Sequence, residues 1–380
     1  MRLPTTALLL ATVACQPSAP EDSARSTPIG TPTDTATSAT AASQCTSPTQ
    51  DDLLYPPYPD VPADCLNNHW DCPLEPGYAS QNPTTVCNIT KGFDTNGQIQ
   101  AQFWEAYTYA QDYFGHYGPV YVYVMGPGNA TSNDRIWKLR AQRRAVVDAC
   151  TPVEFQVDDF LSDPYATEEL EAANNGSPGL FSISGNTGCN PLMDMMLINP
   201  RLDEVRTITL HEAHHIFQVA HSLTHDRNSE YGLNSWIMEG QATYSAARFG
   251  SDTGWGPDFA DLMMDMKHFG GNVSPQGIDA FLAANPTFDL ADESYWQQPD
   301  LTAAAAVYYQ LGAWAWAWLV HDRNGDVDTV LKAYIQDVPT LGKSAAFEQH
   351  FGRSMDDFFA EFAVFVQGDD DAWRAILASG

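Results

Sequence analysis

Residues 207–226 read TITLHEAHHIFQVAHSLTHD, and five histidines fall within them: His211, His214, His215, His221 and His225. The run holds no Gly or Pro and is entered through the apolar Ile208 and Leu210, so it predicts a helix over about 204–222. Residues four apart on a helix lie about 40° from one another, which aims the imidazoles of His211 and His215 at one point. Two imidazoles meeting at a point make a divalent-metal arrangement, and Glu212, beside the first of them, can reach a water at that point. His211-Glu212-Ala213-His214-His215 is thus an H-E-x-x-H helix. What completes it must come from elsewhere in the chain.

Zinc catalysis needs three protein ligands and one open position. His221 is one candidate for the third, because it stands last in the pattern H-E-x-x-H-x-x-G-x-x-H. Gln218 occupies the place of the Gly, however, and that Gly is needed for a sharp backbone turn that carries the last His back to the metal. If the helix continues instead, His221 lies about 9 Å along the axis from His215, beyond a shared ligand sphere. His214 points to an adjacent helix face. His221 and His225 are left as bystanders or as groups that touch substrate.

Farther on, SWIMEGQATYSAARF (235–249) carries Trp236, Glu239, Gly240 and Ala242 in the spacing W-x-x-E-G-x-A. Tyr309-Gln310-Leu311-Gly312 gives Y-x-x-G, and FEQHFGRSMDDFFAEFAVFV (347–366) follows as two further helical stretches. Together with the H-E-x-x-H helix these resemble the gluzincin zinc metallopeptidases, in their aminopeptidase-like and hyicolysin-like branches, over about residues 200–366. The resemblance implies that Glu239 joins His211 and His215 as a ligand of a Zn2+ cofactor, with Glu212 as general base. It also implies that the Tyr309 hydroxyl faces the metal and hydrogen-bonds the oxyanion, on a thermolysin-like catalytic core. Gly240 and Ala242 would let two helices approach closely, and Thr243, one turn after Glu239, would hydrogen-bond a ligand. The interval from His215 to Glu239 is longer than in the aminopeptidase branch, and the G-x-M-E-N stretch that anchors a free amine is absent. Internal cleavage of a peptide or protein substrate is therefore the expected activity, with LMDMMLINP (192–200) as an edge strand for an extended peptide. The rival reading is a non-catalytic surface binding protein on a peptidase fold. It gives no reason for a Glu212 or a Tyr309.

Upstream, MRLPTTALLLATVAC has one basic residue, a short apolar run and a lipobox-like end, so residues 1–15 read as a secretory signal with Cys15 as a lipid-anchor site. Plain secretion after Ala14 is the alternative; either way the location is extracytoplasmic, in or beyond a bacterial envelope. Residues 16–50, rich in Ser, Thr, Pro and Ala, read as a tether. Residues 51–92 read as an irregular disulfide-rich lead-in around YPPYPDVP (55–62). Without Cys15 the cysteines are an even six, Cys45, Cys65, Cys72, Cys87, Cys150 and Cys189, enough for up to three disulfides in any of about fifteen pairings.

The domain over 93–380 divides into an α+β half (93–222), whose small sheet packs on the H-E-x-x-H helix, and a mainly helical half (223–380). Helical spacing of Phe103, Ala106, Tyr107, Ala110 and Phe114 ends at Gly115, a strand runs from Val120 to Met125, and another helix covers about 132–150. Helices are then predicted over 234–249, 258–269, 301–321, 327–336 and 354–366. Trp314, Trp316 and Trp318 spread round a helix and read as core packing, while DRNGDVD (322–328) reads as a turn rather than a calcium loop. With 48 acidic and 18 basic residues the formal net charge is -30, which excludes nucleic acid and anionic lipid as partners. The only membrane contact expected is through the N-terminal lipid.

Overall fold

The computed structural model describes residues 85–90, 92–115, 117, 120–148, 164–176, 181–185, 193–222, 227–270, 276–297 and 302–378. The signal segment with Cys15, the tether over 16–50, His225, and Cys45, Cys65, Cys72, Cys150 and Cys189 lie outside the described residues, and so does the disulfide scheme built on them. Among the described residues no helix is long and apolar enough to cross a membrane.

The class is α+β, mostly helical with one small, largely parallel sheet. Strands β1 (Thr85–Ile89), β2 (Val120–Met125), β3 (Phe181–Gly185) and β4 (Met193–Ile198) pair in the order β1-β2-β4-β3. β1, β2 and β4 run parallel, whereas β3 is antiparallel to β4, in a register that sets Phe181 against Leu197 and Gly185 against Met193. All six residues of β2 are buried, as a parallel strand covered on both faces requires. Val120, Val122 and Val124 face the main core, while Tyr121 and Tyr123 are buried on the opposite face.

Two expectations are corrected here. LMDMMLINP is not an edge strand: β4 is paired on both sides, and β3 takes the edge. The lead-in over 51–92 is not wholly irregular either, because Thr85–Ile89 forms β1, a strand whose hydrogen-bonding partner Val120–Met125 lies beyond an intervening helix.

Helix α1 (Gln98–Phe114) buries the five residues whose spacing predicts it, together with Ile99. Helices α2 (Ala130–Asp148) and α3 (Pro164–Asn175) belong to the sheet-bearing half. Helix α4 (Val205–Ala220) packs against α1 and the edge strand β3, and then against α5 (Ser235–Asp252). α6 (Phe259–His268) and α7 (Ile278–Ala284) follow, then a 3-10 turn at Glu293–Gln297. The predicted helix over 301–321 is present but not uniform. A turn at Thr302–Ala304 leads into a π-helical segment, π1 (Ala305–Leu311), and only then into α8 (Gly312–Asp322), which lies along α5. A second π-helical segment, π2 (Thr329–Ala333), opens α9 (Tyr334–Leu341), and α10 (Lys343–Phe351), α11 (Met355–Phe365) and α12 (Asp370–Leu377) complete the helical half.

Trp314 and Trp316 lie in the core, as their spacing predicts, and Trp318 packs half-buried against it. Trp316 stacks on Trp236 at 5.2 Å, and Trp314 meets Trp373 of α12 edge-on at 4.6 Å. DRNGDVD forms a turn, with Asn324 and Gly325 at positive φ and the Asp326 carboxylate accepting from the Thr329 amide.

Candidate metal centre

Helices α4 and α5 bring three side chains to one point. The Nε2 atoms of His211 and His215 are 3.1 Å apart, and the Glu239 Oε2 atom lies 3.4 Å from the first and 3.2 Å from the second. A tetrahedral zinc ion with bonds near 2.0–2.1 Å spaces its ligand atoms by roughly 3.3 Å, so this triangle has the edge lengths such an ion imposes. The donor set of two imidazoles and one carboxylate suits the same ion, and among the described residues this is the one such group of three. His221 is not part of it. Its Nδ1–H donates to the Phe217 carbonyl at 2.9 Å, and its ring packs on Phe217 and Tyr117 where α4 ends.

The close crossing of α5 and α8 depends on two glycines. A Cβ at Gly240 would stand 2.5 Å from the Gly312 carbonyl carbon, and one at Gly312 would stand 2.8 Å from the Gly240 Cα. Each glycine therefore exists for the other, and each sits next to or near a site residue: Gly240 follows Glu239, and Gly312 is three beyond Tyr309. The Tyr309 ring lies parallel to that of His211, centroids 5.9 Å apart, and Trp296 meets it edge-on at 6.3 Å. Tyr309 belongs to π1, whose wider turn changes the register at which side chains emerge from the helix. The N-terminus of α5 is held separately, by the Glu293 carboxylate accepting from the Ser235 amide at 2.7 Å.

Electrostatics follow from burial and from the neighbours. Burial opposes charge on His215, but the Glu239 carboxylate, aided by Glu212 and Gln218, prevails and raises it to about 9. Burial pushes Glu239 upward, yet His215 and His211 outweigh this and hold it well below the usual carboxylate range. Burial, with the charge on His215, lowers His211 in spite of Glu239. One proton is thus held on the imidazole pair, opposite one carboxylate, where a divalent ion would take its place. Burial raises Glu212 to about 7, with Glu239 adding to the shift and His215 opposing it. Tyr309 is pushed well above its ordinary value by burial and by the Glu239 and Glu212 carboxylates.

Buried polar atoms without a hydrogen-bond partner include Glu239 Oε2, Glu212 Oε1 and Tyr309 OH at the centre, and Thr243 Oγ1 one helical turn beyond Glu239. Buried polar groups are nearly always paired, so orphans gathered at one place mark where a ligand or substrate belongs. The Thr243 finding is also a correction, since its hydroxyl bonds none of the three ligand side chains. His214 lies on the adjacent face, as expected, held by Ser245 Oγ at 2.7 Å and Gln241 Oε1 at 3.0 Å; burial drives it well below its ordinary value.

Two residues escaped the sequence reading. Gln218 accepts from His215 Nδ1 through its Oε1 at 2.8 Å, and Gln241 supports Gln218. The signal for Gln218 was available in its i,i+3 spacing from His215 on one helix face. Comparison of the chain with protein-family models, with curated proteins and with solved structures finds no match.

Proposed function

We propose that the protein is a zinc-dependent metalloendopeptidase of gluzincin type, with a thermolysin-like catalytic core, working outside the cytoplasm as a secreted or lipid-anchored enzyme. The observation that carries this reading is the His211–His215–Glu239 triangle with an unpartnered Glu212 oxygen and the Tyr309 hydroxyl beside it. Zinc bound there would supply Lewis acidity to a peptide carbonyl and to a water molecule. Glu212, raised to about 7 by burial, is poised to take a proton from the attacking water and to return it to the leaving amine. Tyr309, kept protonated by its surroundings, is a hydrogen-bond donor to the oxyanion that develops on the carbonyl. A non-catalytic zinc-binding protein would have no use for either group, and burying both without partners would cost it stability.

Purified protein incubated with a peptide library should cleave internal bonds with zinc present and stop when a chelator is added; no cleavage under either condition would sink the proposal. The ligand set has its own test. Glu239→Ala should weaken zinc by roughly 10²–10³-fold, about one ligand's share of a binding free energy on the order of 10 kcal/mol, whereas His221→Ala should keep near one zinc per chain. Zinc lost in His221→Ala and kept in Glu239→Ala would transfer the third ligand to His221, the metzincin arrangement.

A further inference from the structure

We infer that Gln218 is a positioning residue that fixes which nitrogen of His215 is offered to the metal, through a relay of buried amides anchored on the Val330 carbonyl. The inference rests on the zinc-site reading above. Backbone carbonyls only accept hydrogen bonds. One end of the Gln218 amide lies 3.2 Å from the Ile237 carbonyl and 3.2 Å from the Met238 carbonyl, so that end must be Nε2, the donor. Oε1 therefore faces His215 Nδ1 at 2.8 Å. An acceptor there requires a proton on Nδ1, which leaves Nε2 to present its lone pair toward His211 and Glu239.

The orientation of Gln218 is itself held from behind. Gln241 Nε2 donates to the Val330 carbonyl of π2 at 2.8 Å, which turns Gln241 Oε1 toward Gln218 Nε2 at 3.0 Å and His214 Nε2 at 3.0 Å. Both glutamines are fully enclosed, at 0% exposure, so bulk water does not compete for these bonds. Flipping Gln218 would turn its oxygen against two carbonyls and its amino group against His215. The relay thus carries a fixed polarity from a backbone carbonyl in the helical half to a ligand imidazole on α4, and one residue, Gln218, both receives it and delivers it.

The test is zinc affinity, by competition with a chelating dye, for wild type, Gln218→Met and Gln218→Glu, each confirmed folded by circular dichroism. Methionine fills the same space without an acceptor, whereas glutamate, held as the neutral acid with its O–H turned to the Ile237 and Met238 carbonyls, keeps one toward Nδ1. Loss of such an outer partner costs about 10–100-fold in metal affinity, so Gln218→Met should lose that much and Gln218→Glu should recover most of it. A space-filling role alone would make the two variants equally weak or leave both unchanged. In parallel, nitrogen NMR of the wild type loaded with cadmium-113 should show metal coupling to His215 Nε2 and a slowly exchanging proton on Nδ1. That readout needs no variant, so it decides even if Gln218→Met does not fold. Coupling to Nδ1, unchanged affinity in Gln218→Met, or equal weakness in both variants would overturn the relay while leaving the zinc site standing. A wild type that binds no zinc would overturn the site itself and the relay with it.

Discussion

Helix α5 has two faces of opposite character. Toward α4 it presents Glu239, Gln241 and Ser245 to His211, His214, His215 and Gln218, a buried run of polar contacts. Toward α8, α10 and α11 it presents Trp236, which stacks on Trp316 at 5.2 Å and on Phe358 at 5.8 Å and meets Phe347 edge-on at 6.5 Å. Burying ionisable groups is costly even when they are paired, whereas burying aromatic rings is strongly favourable. The aromatic side therefore supplies the stability that lets the polar side stay dry and pre-arranged. Substitutions on the two sides should separate activity from stability, and each one below tries to break that separation.

The largest effect belongs to the polar side. Glu212→Gln removes the base and leaves every ligand, so turnover should fall by about 10²–10⁴-fold with zinc content unchanged. Thermal stability should hold or rise, because a buried carboxyl with an unpartnered oxygen has become a neutral amide. Unchanged turnover would remove Glu212 from the chemistry. On the aromatic side, Trp316→Ala takes away a fully buried ring and should cost about 3–5 kcal/mol by denaturant unfolding. Well below the melting temperature its zinc affinity should match wild type. A proportionate loss of zinc would mean that the two sides are one cooperative unit and that the contrast is false.

Gly240→Ala probes the border between them. Its Cβ would fall 2.5 Å from the Gly312 backbone, so α5 and α8 must part, and this is the one substitution expected to affect both sides. Overpacking of this kind costs about 1–3 kcal/mol. Glu239 and Tyr309 ride on the two displaced helices, so turnover should drop at temperatures where the protein is still folded. A fall in stability with turnover intact would show that the crossing serves packing alone.

The same border shows what could be read from the residues. His211 and His215 declare themselves by their four-residue interval, and Glu239 and Tyr309 by patterns in which a glycine has a fixed place; the glycines work because they touch each other. Helix α4, predicted over about 204–222, runs within two residues of those limits, and α1 stops before Gly115 as its sequence predicts. The short strands were harder. β3 reads FSISG, five residues with little apolar content, and as an antiparallel edge it displaces the more hydrophobic β4 into the sheet interior. The π-helical register of Ala305–Leu311 has no local signature in AAVYYQL. Gln241 was missed because its amide acquires its role from a partner far away in sequence, Val330, 89 residues beyond it, whereas Gln218, three residues from His215, was read only as the residue standing in place of a glycine. The Thr243 expectation failed because one helical turn from Glu239 brings a side chain near the centre without aiming its hydroxyl at a ligand.

A pH dependence confined to the polar side tests the same contrast without any substitution. In the metal-free protein His215 keeps its proton up to about 9, because the Glu239 carboxylate outweighs the penalty of burial, while an ordinary unfolded histidine loses it near 6.5. A folded pKa above the unfolded one stabilises the fold fully below about pH 6.5, and that contribution is lost as pH rises through 9. Zinc needs the deprotonated Nε2, so its apparent affinity must move the other way, rising about tenfold per pH unit across the same window. Metal-free stability and metal affinity should therefore have slopes of opposite sign between pH 6.5 and 9. Near pH 7 the count of released protons is blurred by Glu212, which titrates there. At pH 8 Glu212 is largely ionised and His215 still largely protonated, so zinc must displace the His215 proton and binding should release protons. Calorimetric titration at pH 8 in buffers of different ionisation enthalpy measures that release. A value near zero would show that His215 is neutral before the metal arrives, and that Glu239 waits for zinc without an imidazolium to hold it.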